Sequence, residues 1–237
     1  MLNEFEKKII SQNGEDGIIE EIITRLGLES LWCCEFGAWD GMHLSNTFHL
    51  IRTTNAKVVM IEGDESKFLN LLETQKKYPD QIIPINAYVD YNLNSKYTLD
   101  KILNETSIPK DFDILSIDID SYDLAVWESV KFYRPKLVII EINNDIPPGI
   151  KQRHSEHNWL NSFTSTVEVG IEKGYTLICH SFNLFFIRND LLDKLNLDPI
   201  KISDPNNLFN YRWVERAARA AFKKERRQWK QEKQLKV

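Results

Sequence analysis

The sequence has few cysteines, no long apolar run and no secretion-signal pattern. Its 237 residues include three cysteines, two of them adjacent and all within apolar stretches. That spacing indicates neither a disulfide framework nor a metal site, so we expect small buried side chains. No stretch approaches the roughly 20 apolar residues that span a bilayer, and the N-terminal MLNEFEKKII lacks a basic-then-apolar order. A cytoplasmic protein without a transmembrane segment is the resulting expectation.

Basic charge is scarce in most of the chain. Residues 211–237 hold ten Lys/Arg and three Asp/Glu, whereas residues 1–210 hold 20 and 32 and carry a net charge of −12. An acidic body does not neutralise phosphates, which argues against a nucleic-acid partner. No repeat or low-complexity linker divides the body. We therefore predict one domain over residues 1–210 and a basic helical tail over residues 211–237.

The tail is rich in helix formers. Apolar residues recur along one side, at Val214, Ala218, Ala221, Phe222 and Trp229. We expect a helix packed on its own domain or on a second subunit, which makes a homo-oligomer through this helix a candidate assembly. The alternatives are contact with a membrane surface, with a partner helix or with an acidic surface.

Short apolar runs alternate with amphipathic segments through the body. The runs are LWCCEFG, VVMIEGD, QIIPINAYV, FDILSIDID and KLVIIEINND, and each precedes a segment of helical pattern. Asp64 marks the start of one helix, and another is expected from the Asp123 region to Pro135. This order predicts a doubly wound α/β sheet of buried parallel strands. The stretch YTLICHSFNLFFIRND predicts an antiparallel hairpin that completes the sheet.

Polar residues stand at the end of every predicted parallel strand. Ligands of such sheets bind at these carboxyl ends. One acid there is often only a helix cap, but five polar strand ends in succession predict a binding site. The residues are Glu35, Glu62, Asp64, Asn86, Asp118, Asp120, Glu141, Asn143 and Asn144.

The turn after the first strand, GAWDG, predicts a close backbone approach to a ligand at Gly37 and Gly41. The next helix, capped by Ser45 or Asn46, is expected to offer N–H groups to an anion. Glu62 is placed to accept hydrogen bonds from a ribose. The Gly-x-Gly-x-x-Gly pattern of dinucleotide sites is missing, which disfavours NAD and FAD. An adenosine that carries an amino-acid carboxylate fits this pattern better.

The ordered motifs SQNGEDGIIEEI, EFGAWDGMHLSNT, IEGD, LSIDIDSYD and VIIEINND resemble those of class I S-adenosylmethionine (SAM)-dependent methyltransferases of the FkbM type. The resemblance runs from Ser11 to Asn189. It implies a Rossmann-like, seven-stranded, mostly parallel sheet with an antiparallel last strand. It also implies O-methylation of a hydroxyl on a sugar or surface-glycan precursor.

By the same resemblance, the cofactor residues fall into three groups. Glu35, Gly37 and the loop through Gly41, Ser45 and Asn46 would hold the methionine part. Glu62 would hold the ribose, and Asn86 and Ala87 the adenine edge, with a turn residue as the alternative for Asn86. Asp118 is a further candidate on the cofactor.

A neutral hydroxyl must lose its proton during methyl transfer, either to a base or with the help of a cation. Asp118, Glu141 and Asn143 are candidate ligands for Mg²⁺ or Ca²⁺, although Ile142 separates the last two. Without a metal, Asp118 would orient the cofactor or the acceptor. Asp120, Asn143 and Asn144 are then candidates for binding a polar acceptor.

Histidine is the side chain most easily tuned for proton transfer near neutral pH. His43, in the first loop, and His154 and His157, after the fifth strand, are candidate bases. The alternative for each is a bracing role within its loop. His49 and His180 are expected to be structural.

The motif SQNGEDG contains an Asn-Gly turn and two acids that open a helix. Capping alone explains that pattern. Its match to the family motif favours Gln12 and Asp16 as residues that close over the cofactor or the substrate.

Three other functions stay open at the level of sequence. N-methylation, or transfer to a phosphoryl-type oxygen, would need a similar site with a different pocket. A nucleotide-linked oxidoreductase would share the sheet and Glu62 without the glycine pattern. A catalytically silent scaffold would bind no cofactor.

Overall fold

The computed structural model describes residues 1–219 and 222–223. Seven strands form one sheet: β1 (Trp32–Phe36), β2 (Lys57–Glu62), β3 (Ile82–Asn86), β4 (Ile114–Ile117), β5 (Leu137–Ile140), β6 (Tyr175–His180) and β7 (Leu184–Arg188). Within the described residues, the α-helices are α1 (Glu15–Leu26), α2 (Phe48–Thr53), α3 (Glu65–Gln75), α4 (Leu99–Asn104), α5 (Asp123–Ser129), α6 (Phe163–Glu172) and α7 (Pro199–Ile202), and residues 212–219 at the start of the tail are also helical. Short 3-10 helices cover Leu2–Phe5, Asn189–Leu195 and Pro205–Leu208.

The strand order is β3-β2-β1-β4-β5-β7-β6. The first five strands in the chain pair in parallel, and β7 pairs antiparallel with both β5 and β6. This confirms the predicted seven-stranded doubly wound sheet with its antiparallel last strand. The order reverses beside β1, where the chain crosses from β3 back to β4.

The side chains of each central strand point alternately into two separate cores. In β1, Cys34 packs with one core and Cys33 with the other. Helices α4, α5 and α6 cover the first core, and α1, α2 and α3 cover the second. The cysteines are fully buried and unpaired, as predicted. Burial on both faces explains why these strands have continuous apolar sequences.

Helix α5 is shorter than the sequence pattern suggested. It begins at Asp123, as predicted, but ends at Ser129 rather than at Pro135. The carboxylate of Asp100 accepts backbone N–H groups from Lys131 and Phe132, at 2.7 and 3.3 Å. These N–H groups are thus bound by a neighbouring element, and the chain continues without helix to β5.

The sheet has two differently protected edges. Strand β3 forms one edge and contains Pro84, in register with Met60 of β2. Strand β6 forms the other edge and borders the 3-10 helices Leu2–Phe5 and Pro205–Leu208. Within the described residues, no helix is both long and apolar enough to cross a bilayer.

The start of the predicted tail packs on its own domain. The indole N–H of Trp213 donates to the Ser181 carbonyl, and the Trp213 ring meets that of Phe182 at 5.1 Å. Arg212 forms a two-pronged ion pair with Glu6, at 2.6 and 2.7 Å. Residues 220–221 and 224–237 of the tail, which include Ala221 and Trp229, lie outside the described residues.

Candidate functional site

A cavity of about 860 Å³ opens at the carboxyl edge of the sheet. Its walls come from the loops that follow β1 to β5, with Gln12 from the N-terminal segment and Phe182 from the β6–β7 turn. The cavity therefore lies where the strand order reverses, the place at which doubly wound sheets bind ligands. A second, more open cavity of about 710 Å³, near Lys110 and Arg188, contains none of the predicted site residues.

Glu35 holds the loop after β1 in place. Its buried carboxylate accepts hydrogen bonds from Ser45 Oγ at 2.6 Å, from the Asn46 backbone N–H at 2.9 Å and from Thr47 Oγ1. Burial raises the pKa of Glu35, and the hydroxyl donors act in the opposite direction. Glu35 and Ser45 line the cavity, but this carboxylate is already bound by its own chain.

The predicted anion site at the start of the next helix is wrong. Helix α2 begins at Phe48, with Thr47 rather than Ser45 or Asn46 at the cap position. Ser45 Oγ accepts the N–H groups of Thr47 and Phe48 at 3.2 and 3.0 Å. The Asn46 side chain donates to Ser116 Oγ at 3.0 Å and does not line the cavity. These groups are thus used to fix the loop.

The two glycines of the turn have different roles. Gly37 lies at the cavity, and a Cβ there would stand 1.7 Å from the Asp118 carbonyl oxygen. Gly41 has a φ of +76° and faces Leu71 and Met60, so its close approach is to the core beneath α3. The tight turn is therefore required by neighbouring protein backbone and side chains. This corrects the prediction that Gly41 lies against a ligand.

Glu62, at the end of β2, borders the cavity beside the first loop. One carboxylate oxygen accepts the Trp39 N–H and the other the Asp64 N–H, each at 2.8 Å. Asp64 caps α3 through the Lys67 N–H, as predicted. Glu62 is thus held rigidly, with 7% of its surface exposed. Each oxygen has a further lone pair for a ligand hydroxyl.

The segment after β3 presents backbone and an aromatic ring to the cavity. Ala87 and Tyr88 line it. Asn86 does not, because its side-chain amide donates to the Glu62 carbonyl at 2.8 Å, which favours the turn role over contact with an adenine. The Tyr88 ring lies against Gly63, where a Cβ would be 2.4 Å away.

Three carboxylates meet on the far side of the cavity. Asp118, Asp120 and Glu141 each place an oxygen within 4.8 Å of the others. Glu141 is buried, and its Oε2 has no hydrogen-bond partner. Burial, and next the neighbouring acids, raise the pKa of Asp118 to about 7 and that of Glu141 to about 9. We call these three residues the acid cluster.

The turn after β4 gives Asp120 an unusual backbone. Its φ is +58°, a conformation that non-glycine residues adopt at a cost. The buried carboxylate of Asp123 fixes this turn, because it accepts the N–H groups of Ile119 and Ser121 at 2.8 Å. Asp123 therefore helps to bring Asp120 to the other two acids.

The predicted ligand set was partly wrong. The Asn143 side chain donates to the Trp159 carbonyl at 3.2 Å and accepts the Asp145 N–H at 3.1 Å. It braces its loop, and Asp120 takes its place beside Asp118 and Glu141. Asn144 is buried against His180, with Oδ1 2.7 Å from Nε2, so it is not placed to bind an acceptor.

Of the three candidate histidines, only His43 lines the cavity. His154 Nδ1 accepts the Leu160 N–H at 3.2 Å, and its ring packs on Tyr122 at 4.6 Å. His157 is exposed in a turn and does not reach the cavity. His180 is buried, which lowers its pKa to about 3. His49 pairs with Glu20 at 2.5 Å. The acid cluster is thus better placed than His154 or His157 to take a proton.

The N-terminal motif divides into one residue at the cavity and one behind it. Gln12 lines the cavity. Asp16 has 1% of its surface exposed and binds the backbone of its own segment, which corrects its prediction as a substrate-binding residue.

Sequence reasoning missed an aromatic rim around the mouth. Tyr91, Tyr122 and Trp159 come from three successive loops and are 44%, 36% and 60% exposed. The rings of Tyr91 and Tyr122 lie 5.0 Å apart. Their position in the polar loops that follow β3, β4 and β5 was the available signal, since large exposed aromatics in such loops are typical of binding sites.

A comparison with protein families matches residues 53–167 to the "Methyltransferase FkbM domain". Over these residues the chain is similar to the FkbM methyltransferases. This confirms the resemblance that the motifs predicted, and with it the assignment to the SAM-dependent methyltransferases. The matched FkbM stretch contains Glu62, the acid cluster, and Tyr91 and Tyr122 of the rim. Strand β1, its loop and Gln12 precede it.

The solved structures that match this chain share little sequence identity with it. A "putative caffeoyl-CoA O-methyltransferase from Staphylococcus aureus" has 17% identity and a TM-score of 0.47, over 79% of this chain and 87% of that one. A "SAM dependent methyltransferase from Aquifex aeolicus" has 13% identity and a TM-score of 0.44, over 71% of this chain and 88% of that one. The N-terminal domain of EvdMO1, solved with S-adenosylhomocysteine (SAH) bound, has 12% identity and a TM-score of 0.46, over 75% of this chain and 80% of that one. No curated protein matches the sequence.

Proposed function

We propose that this FkbM-type chain binds SAM in the 860 Å³ cavity and transfers its methyl group to a hydroxyl of a sugar or surface-glycan precursor. The observation that supports this most directly is the pairing of two features within one cavity. Glu62 offers two fixed carboxylate oxygens on one side, and the acid cluster offers proton acceptors on the other.

In this proposal, Glu62 accepts hydrogen bonds from the ribose hydroxyls, and the adenine lies between Ala87 and the Tyr88 ring. The loop held by Glu35 borders the methionine part. The aromatic rim receives the acceptor, because ring faces of Tyr and Trp pack well against the apolar face of a sugar while leaving its hydroxyls free. The acceptor hydroxyl then faces the acid cluster.

The reaction is an in-line displacement at the methyl carbon. The acceptor oxygen forms a bond to that carbon as the carbon–sulfur bond breaks, and the electron pair of the broken bond stays on sulfur to give SAH. The hydroxyl proton passes to the acid cluster. In the absence of a cation, Asp118 is suited to that transfer, because burial and the neighbouring acids raise its pKa. Orientation within the cavity supplies much of the remaining rate.

We also propose that the acid cluster holds a divalent cation, with Mg²⁺ as the first candidate. Three carboxylates with oxygens within 4.8 Å, one of them without a partner, fit a hard cation. When bound, the cation would lower the pKa of the acceptor hydroxyl. Asp118, Asp120 and Glu141 would hold it.

Calorimetric titration of the purified protein with SAM, SAH and NAD tests the cofactor. We expect binding of the first two and none of NAD. Binding of NAD alone, or of none of the three, would contradict the proposal. Each titration with SAM and SAH is repeated with EDTA and with Mg²⁺. Titration with Mg²⁺ alone, for the native chain and for Asp120→Asn, tests the cation separately, because it needs no acceptor.

An amine acceptor is the second candidate. A protonated amine would be attracted by the acid cluster, and Lys67 is the only Lys or Arg among the residues that line the cavity. Assays with radiolabelled SAM on matched amino and hydroxyl sugars distinguish the two. Label in the amine alone would favour N-methylation.

A further inference from the structure

A short segment before α1 reaches the cavity at its last residue. We call residues 9–12 the N-terminal strap. Ser11 forms an isolated parallel bridge with Leu44 of the β1 loop. The strap is thereby tied to the loop that borders the methionine part of the proposed cofactor, and not to the rim that faces the acceptor. Gln12, at its end, is exposed and lines the cavity.

One buried carboxylate holds the strap. Asp16 Oδ2 accepts the backbone N–H groups of Ile9, Ile10 and Ser11 at 2.9, 2.8 and 2.8 Å, and Ser11 Oγ at 2.8 Å. The Asp16 N–H donates back to Ser11 Oγ at 3.1 Å. Charge-assisted hydrogen bonds of this kind are strong. The strap is therefore fixed immediately before the residue that reaches the cavity.

The cavity has little positive charge for a carboxylate. Seven of its lining residues are Asp or Glu, and the one Lys, Lys67, lies 4.7 Å above the Trp39 ring and next to Asp64. A ligand carboxylate in such surroundings needs N–H donors to offset its lost hydration. The side-chain amide of Gln12 has two N–H donors, and no hydrogen bond within the described residues uses them.

We propose that Gln12 donates a hydrogen bond to the methionine carboxylate of the cofactor, and that Asp16 is the positioning residue that holds Gln12 there. This inference rests on the proposed function, since it assumes that SAM occupies the cavity. It assigns Gln12 to the cofactor and not to the acceptor.

The test compares two ligands by calorimetry. SAH carries the methionine-derived amino-acid end, and 5′-methylthioadenosine shares the adenosine and sulfur but lacks that end. Gln12→Ala should weaken SAH binding about tenfold, the usual effect of losing a hydrogen bond to a charged group, and leave 5′-methylthioadenosine binding unchanged. Asp16→Asn should give the same selective loss, together with faster amide exchange at Ile9, Ile10 and Ser11.

Two further variants keep the test decisive if Asp16→Asn folds poorly. Ser11→Ala removes the two hydrogen bonds of the Ser11 hydroxyl with Asp16 and leaves the three backbone bonds to its carboxylate, so it should give a smaller loss with the same selectivity. Lys8→Ala changes an exposed residue just before the strap that does not line the cavity, and it should change neither affinity.

The outcomes separate this inference from the function beneath it. If the native protein and Gln12→Ala bind SAH equally well, the inference is overturned and the proposed function is not. Equal losses for both ligands would also overturn it, because a general disturbance of the cavity does not distinguish the amino-acid end. Native protein that binds neither ligand would overturn the proposed function and the inference together.

Discussion

At the scale of single residues, the two sides of the cavity differ in how their carboxylates are satisfied. Glu62 receives a backbone N–H on each oxygen, which fixes the direction of its carboxylate. Asp118 and Glu141 have mainly other acids as neighbours, and both have raised pKa values. The first arrangement suits a permanent hydrogen-bond acceptor. The second suits groups that exchange protons or bind a cation.

We expect Glu62→Gln to weaken SAH binding by about ten- to a hundredfold, because hydrogen bonds to a charged group contribute about 1.5–3 kcal/mol. Calorimetry measures the loss, and thermal unfolding shows whether the fold persists. Glu65→Gln, on the exposed start of α3, is the matched control. Unchanged affinity in Glu62→Gln would remove this residue from the ribose site.

Asp118→Asn should lower turnover by at least tenfold while SAH affinity changes little. The substitution keeps the size of the side chain and removes its ability to accept a proton, which typically contributes 10²- to 10⁴-fold to a rate. The measurement is methyl transfer to an accepted sugar under saturating SAM. Turnover equal to that of the native protein would exclude Asp118 from the chemistry.

At the scale of elements, the turn between β4 and α5 carries the strained part of the site. The turn holds Asp120 at positive φ beside two other acids, and a buried carboxylate at the first position of α5 fixes it. Strain of this kind persists when the surrounding structure enforces it. The α5 start is thus as important to the acid cluster as β4 itself.

Asp120→Gly should raise stability by about 1 kcal/mol, because glycine adopts positive φ without a Cβ clash and a like charge is removed. The same change should weaken Mg²⁺ binding. Denaturant unfolding and metal titration give the two results. Asp120→Asn, which keeps the Cβ, is the control, and lower stability in Asp120→Gly than in Asp120→Asn would contradict a strained turn.

At the scale of the whole molecule, the architecture was predictable and the detailed contacts were not. Continuous apolar runs such as those of β4 and β5 reveal buried parallel strands, and their polar ends placed Glu62, Asp118 and Glu141 at one edge of the sheet. The sequence did not show that Asn143 and Asn144 would turn into neighbouring structure, because their partners, Trp159 and His180, lie 16 and 36 residues further along the chain.

Glu15 is another residue whose contacts join parts of the chain that are distant in sequence, the N-terminal segment and the β6–β7 hairpin. Its buried carboxylate accepts the Asn13 N–H at 2.7 Å and an Asn183 amide N–H at 3.4 Å. Burial raises its pKa from the usual 4.5. The folded state therefore holds this proton more tightly than the unfolded state does, and the contribution of Glu15 to stability falls as pH rises above about 4.5.

Glu15→Gln should consequently be more stable than the native chain at neutral pH and lose that advantage toward pH 4.5. The melting temperature should differ by a few degrees, since 1 kcal/mol corresponds to about 2–4 °C in a chain of this size. Melting curves across pH 4–8 measure the difference. If the melting temperatures of the two proteins differ by the same amount at every pH, Glu15 is not responsible for the pH dependence of stability above pH 4.5.

The two edges of the sheet also affect how copies of the molecule behave toward one another. A bare edge strand recruits a strand from a neighbouring chain and starts fibrillar growth. In β3, Pro84 supplies no N–H for such pairing, and the segment Leu2–Phe5 borders β6. Because both edges are protected, we expect the folded sheet to resist edge-to-edge association with other copies.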